Sequence, residues 1–146
     1  MKVYTYDITF SEVPDETSLS LAISGCPNRC KGCSSPWLRE DVGHILSTTY
    51  IEELLSRYPS VSCVTFLGGD ASPSTILKMA RHVHELGYKT CWYSGCSDLP
   101  DTEDLDYVKI GPWIAERGPI TSRATNQEFY RRTHGTWVWC TDIFWK

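Results

Sequence analysis

Apolar and polar positions alternate at the start of the chain: Tyr4, Tyr6, Ile8 and Phe10 are separated by Thr5, Asp7 and Thr9. A period of two predicts a half-buried strand. Pro14-Asp15 supplies a turn, and Leu19, Leu21 and Ile23 then alternate with Ser20, Ala22 and Ser24. The two runs predict an antiparallel hairpin. Residues 34–47, with Pro36, Trp37 and Gly43, show no period and predict an irregular loop. Ile51, Leu54, Leu55 and Tyr58 recur at helical spacing behind Thr49 and Glu52, which fit a capping box, and Pro59 ends the helix. A short apolar run over 61–67 ends in Gly68-Gly69 and predicts a buried strand. Ser72 and Pro73 then suit the N-cap and first position of a second helix, with Ile76, Met79, Ala80, Val83 and Leu86 on one face and Gly87 at its end. Further strands are predicted over 88–94 and 107–110, with an acidic, turn-rich stretch between them.

Strand, helix, strand, helix, strand is the order of parallel βαβ units. In such sheets ligands gather at the C-terminal ends of the strands. Three loops converge there: 26–33, 68–70 and 94–96. Beyond Gly111-Pro112 the pattern weakens. Trp137-Val138-Trp139 suits a strand, and Trp113, Trp137, Trp139 and Trp145 supply core or interface area. With no internal repeat and no linker, 1–146 reads as one domain with an irregular C-terminal extension from about 112.

The chain has 146 residues, 41% of them hydrophobic and 22% charged, which excludes disorder. It is too short for a full eight-unit β/α barrel of about 250 residues. A net charge of −4 argues against a dedicated nucleic-acid binder. No apolar run approaches the ~20 residues of a membrane span, and the N-terminus lacks the apolar core of a signal peptide. A cytoplasmic protein is expected.

Cysteine changes the picture. There are seven, and Cys26, Cys30 and Cys33 fall within eight positions. An odd number excludes full internal pairing, and a cluster of reduced thiols reads as a metal site. C-x3-C-x2-C lets one loop wrap its sulfurs around a compact centre. Zinc usually takes four ligands in two pairs, and no second close pair exists here. Three thiolates suit a [4Fe–4S] cube with one iron left open to a ligand. Arg29 and Lys31, inside the loop, fit either an offset to the thiolate charge or solvated loop cations. A structural zinc or unligated thiols remain the alternatives for the three cysteines.

The loop at the end of an early strand resembles the signature of the radical S-adenosylmethionine (SAM) superfamily. The resemblance implies Cys26, Cys30 and Cys33 as cluster ligands. It also implies that the open iron chelates SAM, that one electron cleaves the sulfonium, and that the 5′-deoxyadenosyl radical so formed abstracts a hydrogen atom. Gly68-Gly69-Asp70 resembles the family's Gly-Gly-Glu or Gly-Gly-Asp motif, whose backbone holds the methionine moiety; Asp70 would accept from its ammonium. Gly32, Cys33 and Ser34 would complete the cofactor contacts. The implied fold is α/β: a compact partial (β/α) barrel with a mostly parallel sheet and the N-terminal hairpin.

Within the superfamily, the short chain and early loop resemble the activating enzymes of anaerobic ribonucleotide reductase. Ser24-Gly25-Cys26, Gly32 before the last cysteine, Trp92-Tyr93-Ser94-Gly95, Gly111-Pro112-Trp113-Ile114 and Thr125-Asn126-Gln127 all match that pattern. Ser34, Ala71 and Ile110 depart from it. The implied partners are a large glycyl radical reductase subunit as protein substrate and a flavodoxin or ferredoxin as electron donor. An activase of another glycyl radical enzyme, of the formate-lyase type, and a non-catalytic iron–sulfur or zinc module are the competing readings.

For the remaining residues the simpler assignments are structural. Cys63 and Cys91 lie inside strands and suit buried small hydrophobes. Cys96 is an unligated turn residue, because a fourth protein ligand would block SAM. Cys140 stays open between burial and a second thiol role. His82 and His84, two apart on a helix, suit packing. The acids at 98–106 suit a solvated loop, and Arg123, Arg131 and Arg132 suit solvated charge or a partner contact.

Overall fold

The computed structural model describes residues 1–33 and 35–145. The predicted hairpin is β1 (Lys2–Thr9) and β2 (Ser18–Ile23), paired antiparallel. Residues 34–47 are less irregular than expected. They include a 3-10 turn at Pro36–Arg39 and a two-residue strand, β3 (His44–Ile45), on the free edge of β1. Helix α1 (Thr48–Arg57) starts two residues earlier than the capping box suggested. Its N-cap is Ser47, whose Oγ accepts from the Tyr50 amide at 3.1 Å. Then come β4 (Cys63–Leu67), α2 (Pro73–Glu85), with Ser72 at the N-cap position but no hydrogen bond from a helix amide to its hydroxyl and with Pro73 in its first turn, β5 (Lys89–Tyr93) and β6 (Tyr107–Ile110). The C-terminal stretch is not wholly irregular: β7 (Glu128–Thr133) and β8 (Thr136–Trp139) form a second hairpin. Of β7's side chains only Phe129 is fully buried among charged neighbours, so the strand carries no alternating apolar signal.

The eight strands form one sheet in the order β3-β1-β2-β4-β5-β6-β7-β8. This corrects the expectation of a mostly parallel partial barrel. β2, β4, β5 and β6 are parallel neighbours, but the strands outside them pair antiparallel, so the sheet is mixed and is not clearly a barrel. Connectivity is the reason. Parallel neighbours need long crossovers, and the two α-helices supply two of these; hairpins supply only antiparallel neighbours.

Both helices pack on one face of the sheet. Ile51, Leu54 and Leu55 of α1 and Ile76, Met79, Ala80 and Val83 of α2 bury against Leu19, Leu21, Ile23, Val64, Phe66 and Val108. A parallel centre must be covered on both faces. Here irregular chain covers the second face: Val13 and Ile120 pack with Cys63, Cys91, Tyr107 and Phe129, and Ile143 and Phe144 close over them. Phe129 meets Phe144 edge-on at 5.0 Å between ring centres. The tryptophans of the tail are tied in as well. Trp145 Nε1 donates to the Ile120 carbonyl and Trp137 Nε1 to the Pro100 carbonyl, both at 3.0 Å. Arg132 stacks over Trp137 and donates to the Leu105 carbonyl at 3.1 Å, so it is committed within the fold.

A polar clamp closes the end of the sheet where the parallel strands begin. Glu16 is buried, and its carboxylate accepts from Lys89 Nζ at 2.7 Å, Ser62 Oγ at 2.5 Å and Tyr107 Oη at 3.0 Å. Burial by itself would raise its pKa, but the hydrogen bonds from Lys89, Ser62 and Tyr107 outweigh it and hold the carboxyl below its ordinary value. A depressed folded-state pKa contributes stability above the unfolded-state pKa, and that contribution is lost as pH falls through the folded value. Glu16→Gln should therefore cost about 1–3 kcal/mol at neutral pH. Its denaturation midpoint should also fall less than the parent's on acidification below the carboxylate range. Urea melts of both proteins across that range check this.

Candidate iron–sulfur site

The cysteine loop leaves the C-terminal end of β2, and backbone bonds from residues 38–42 hold it. The Cys26 amide donates to the Leu38 carbonyl at 2.8 Å, the Gly25 amide to Glu40 at 3.0 Å, and the Val42 amide to Ser24 Oγ at 3.3 Å. Within the loop the Cys33 amide donates to the Cys30 carbonyl at 3.2 Å. Arg39 Nη2 also donates to the Cys30 carbonyl, at 2.9 Å. Two sulfurs receive hydrogen bonds: Cys26 Sγ from Asn28 Nδ2 at 3.7 Å and Cys33 Sγ from the Ser35 amide at 3.4 Å.

Cys26, Cys30 and Cys33 line one cavity of about 180 Å³ together with Ile23, Arg29, Leu38, Arg39, Gly68 and Tyr93. Among the described residues no three His, Cys, Asp or Glu side chains are gathered to share one ion. A four-iron cube takes one thiolate per iron, so its ligands spread around a volume rather than closing on a point. A cavity edged by three cysteines fits that donor set.

A second cavity, of about 150 Å³, adjoins the first and shares Cys26, Cys30, Gly68 and Tyr93 with it. Its other walls include Asn28, Asp70, Ser94, Gly95, Lys109, Trp113 and Gln127. The three loops singled out in the sequence do meet. Asp70 joins them: its Oδ1 accepts from Ser94 Oγ at 2.6 Å, and its Oδ2 accepts from the Gly95 amide at 2.8 Å and Asn28 Nδ2 at 2.5 Å. Gly68 and Gly69 hold φ of 105° and 97°, which L side chains rarely adopt. Trp92 Nε1 pins the Gly68 carbonyl at 2.7 Å. At Gly95 the requirement is space, since a Cβ there would stand 2.5 Å from Asn28 Nδ2.

Alternation along the strands puts Leu67, Tyr93 and Lys109 on the face away from the helices, where both cavities open. Lys109 Nζ lies 4.2 Å from the centre of the Tyr93 ring and 3.5 Å from Gln127 Oε1. Burial lowers its pKa to about 8.

Of the residues expected at the site, Cys26, Cys30, Cys33, Gly68 and Asp70 line one or both cavities. Gly69 stands behind them against Ile76, and Gly32 lines a separate groove with Trp113 and Ala115. Ser34 lies outside the described residues. Asn28, Arg39, Tyr93 and Lys109 were not singled out as site residues. Asn28 sits inside the motif and Tyr93 beside the Ser94-Gly95 turn, so both carried a positional signal; Arg39 and Lys109 carried none.

The other cysteines stand apart. Cys96 is exposed and lines neither cavity. Cys63 and Cys91 are fully buried; burial pushes Cys63 up to about 12 and holds Cys91 well above the usual thiol range. Cys140 is half-buried beside the second-face core.

Residues 17–109 match the family described as the 4Fe-4S single cluster domain. That is more than half of the chain, spanning the cysteine loop, Asp70 and the Ser94-Gly95 turn, and the chain belongs to this family. It is an iron–sulfur protein. No curated protein and no solved structure matches it. No helix among the described residues is long and apolar enough to cross a membrane.

Iodoacetamide near neutral pH should modify Cys96 in the folded apoprotein and leave Cys63 and Cys91 untouched until denaturant is added. Peptide mass mapping before and after unfolding checks both expectations.

Proposed function

We propose that the chain is a radical SAM enzyme that activates a glycyl radical enzyme, the anaerobic ribonucleotide reductase. The observation that carries the reading is the pair of joined cavities: one edged by three cysteines, the next walled by a carboxylate, a lysine and exposed backbone. A module that only stores or passes electrons has no use for the second. In this reading Cys26, Cys30 and Cys33 hold the [4Fe–4S] cluster. When bound, the cluster supplies an open iron position and the electron that cleaves the sulfonium of SAM.

The chain's own residues bind and orient the cosubstrate. Asp70 offers a carboxylate to the ammonium of the methionine moiety and Lys109 a cation to its carboxylate, so a zwitterion is matched from two walls. Gly68, at the shared wall, keeps backbone groups clear of side chains. Tyr93 and Trp113 add apolar area and restrict water. The late segment that resembles the ribonucleotide reductase activases belongs to the same neighbourhood: Gln127 lines the second cavity and Asn126 Nδ2 donates to the Pro112 carbonyl at 3.0 Å. That supports the choice of reductase as partner over a formate-lyase type. The partner's glycine loop would enter over this face, with a flavodoxin or ferredoxin delivering electrons.

Protein reconstituted without oxygen, reduced and given SAM should release 5′-deoxyadenosine, and Cys30→Ala should release none. Asp70→Asn should raise the SAM concentration for half-maximal rate about 10–100-fold, as for the loss of hydrogen bonds to a charged group. Product from the parent no greater than from Cys30→Ala would contradict the enzyme reading. A glycyl radical signal after mixing with the anaerobic reductase, and none with a formate-lyase type enzyme, would establish the partner.

A further inference from the structure

Arg39 is the least explained charge in the molecule. It belongs to the 3-10 turn that follows the cysteine loop, and it lines the cavity edged by Cys26, Cys30 and Cys33. One arm of its guanidinium is used, with Nη2 donating to the Cys30 carbonyl at 2.9 Å. Its Nε is buried and has no hydrogen-bond partner among the described residues. None of the ion pairs among those residues involves Arg39. A buried N–H without an acceptor is costly in a folded protein and calls for a partner that the described residues do not provide. Arg29 lines the same cavity, but its side chain is exposed and water screens it.

We infer that Arg39 is a positioning residue for the iron–sulfur cluster: it fixes the Cys30 end of the loop through Nη2 and presents Nε–H and a fixed positive charge to the cluster's sulfur atoms. Reduction adds one negative charge to the cluster. A cation held against it in a partly buried cavity stabilises the reduced form more than the oxidised form and so raises the reduction potential. The guanidinium suits this task better than an ammonium, because its planar fork serves the carbonyl and the sulfur at once and never loses its charge. The assignment rests on the reading that Cys26, Cys30 and Cys33 hold the cluster.

The test is a redox titration of the reconstituted protein followed by electron paramagnetic resonance, after iron and sulfide content have been measured. The set is the parent, Arg39→Gln, Arg39→Lys and Arg29→Gln. At the parent's midpoint potential, Arg39→Gln should show a reduced-to-oxidised ratio roughly tenfold lower, about 59 mV for a one-electron couple. Arg39→Lys should lose less, and Arg29→Gln should stay near the parent. A fully loaded Arg39→Gln cluster with the parent's potential would overturn the assignment. So would a larger shift in Arg29→Gln than in Arg39→Gln.

If Arg39→Gln does not take up a cluster, the parent itself decides the matter. Protein labelled with [15N]arginine should show a nitrogen coupling to the reduced cluster in pulsed resonance spectra. That coupling should disappear in Arg39→Lys and persist in Arg29→Lys; no coupling in the labelled parent would overturn the assignment. Cys30→Ala separates the two levels of the reading. If it binds the cluster as well as the parent does, the cysteine ligation fails. If it does not bind, and Arg39→Gln shows no shift, only the role of Arg39 fails.

Discussion

The carboxylate of Asp70 is the tie on which the site depends. Asn28 lies in the cysteine loop after β2, Asp70 in the loop after β4, and Ser94 and Gly95 in the turn after β5. Three hydrogen bonds of 2.5–2.8 Å from those groups converge on the two Asp70 oxygens. Parallel strands bring their C-terminal ends to one edge, but they do not set the loops' positions relative to one another. One charged acceptor with donors from both neighbouring loops does, and charge-assisted bonds are the stronger kind. The glycine at 95 follows from the same constraint, since a side chain there would occupy Asn28's place.

The sheet explains why so short a chain can offer two joined cavities. Both helices cover one face, which leaves the other for the functional loops. A complete second layer of helices would bury that face. Here a thin cover of loops and a 3-10 turn at Thr141–Phe144 packs Val13, Ile120, Ile143 and Phe144 over Cys63, Cys91 and Phe129. Glu16 stitches the same end through Lys89, Ser62 and Tyr107. The Glu16 clamp thus lies where the parallel strands begin, and the two cavities lie where they finish.

Much of this was legible in the residue pattern, for identifiable reasons. Strands β1, β2, β4, β5 and β6 and both helices repeat apolar positions at a period of two or 3.6 or run apolar between turn residues, and each repeat reports a face that must be buried. The cysteine loop, Asp70 and Ser94-Gly95 could be brought together from topology alone, because parallel order fixes which loops share an edge. β7 escaped notice because it buries one phenylalanine among Glu128, Arg131 and Arg132. Trp137-Val138-Trp139 did point to β8, but the mixed sheet was missed because its hairpin partner β7 leaves no periodic trace. Helix α1 is capped by Ser47 because the hydroxyl that caps it is chosen by the approach of the chain, and Thr49 offered an equally good motif. Arg39 and Lys109 were invisible for a different reason: a charged residue in a loop or on a short strand reads as solvated until the fold shows the wall it lines.

An iron–sulfur centre held by three cysteines and open at its fourth iron is the claim on which the chemistry stands. Mössbauer spectra of protein reconstituted with 57Fe, recorded before and after addition of SAM, test it most directly. One iron in four, about a quarter of the absorption of a [4Fe–4S] cube, should change its isomer shift when SAM binds. Spectra in which all the iron stays equivalent and unmoved by SAM would contradict it.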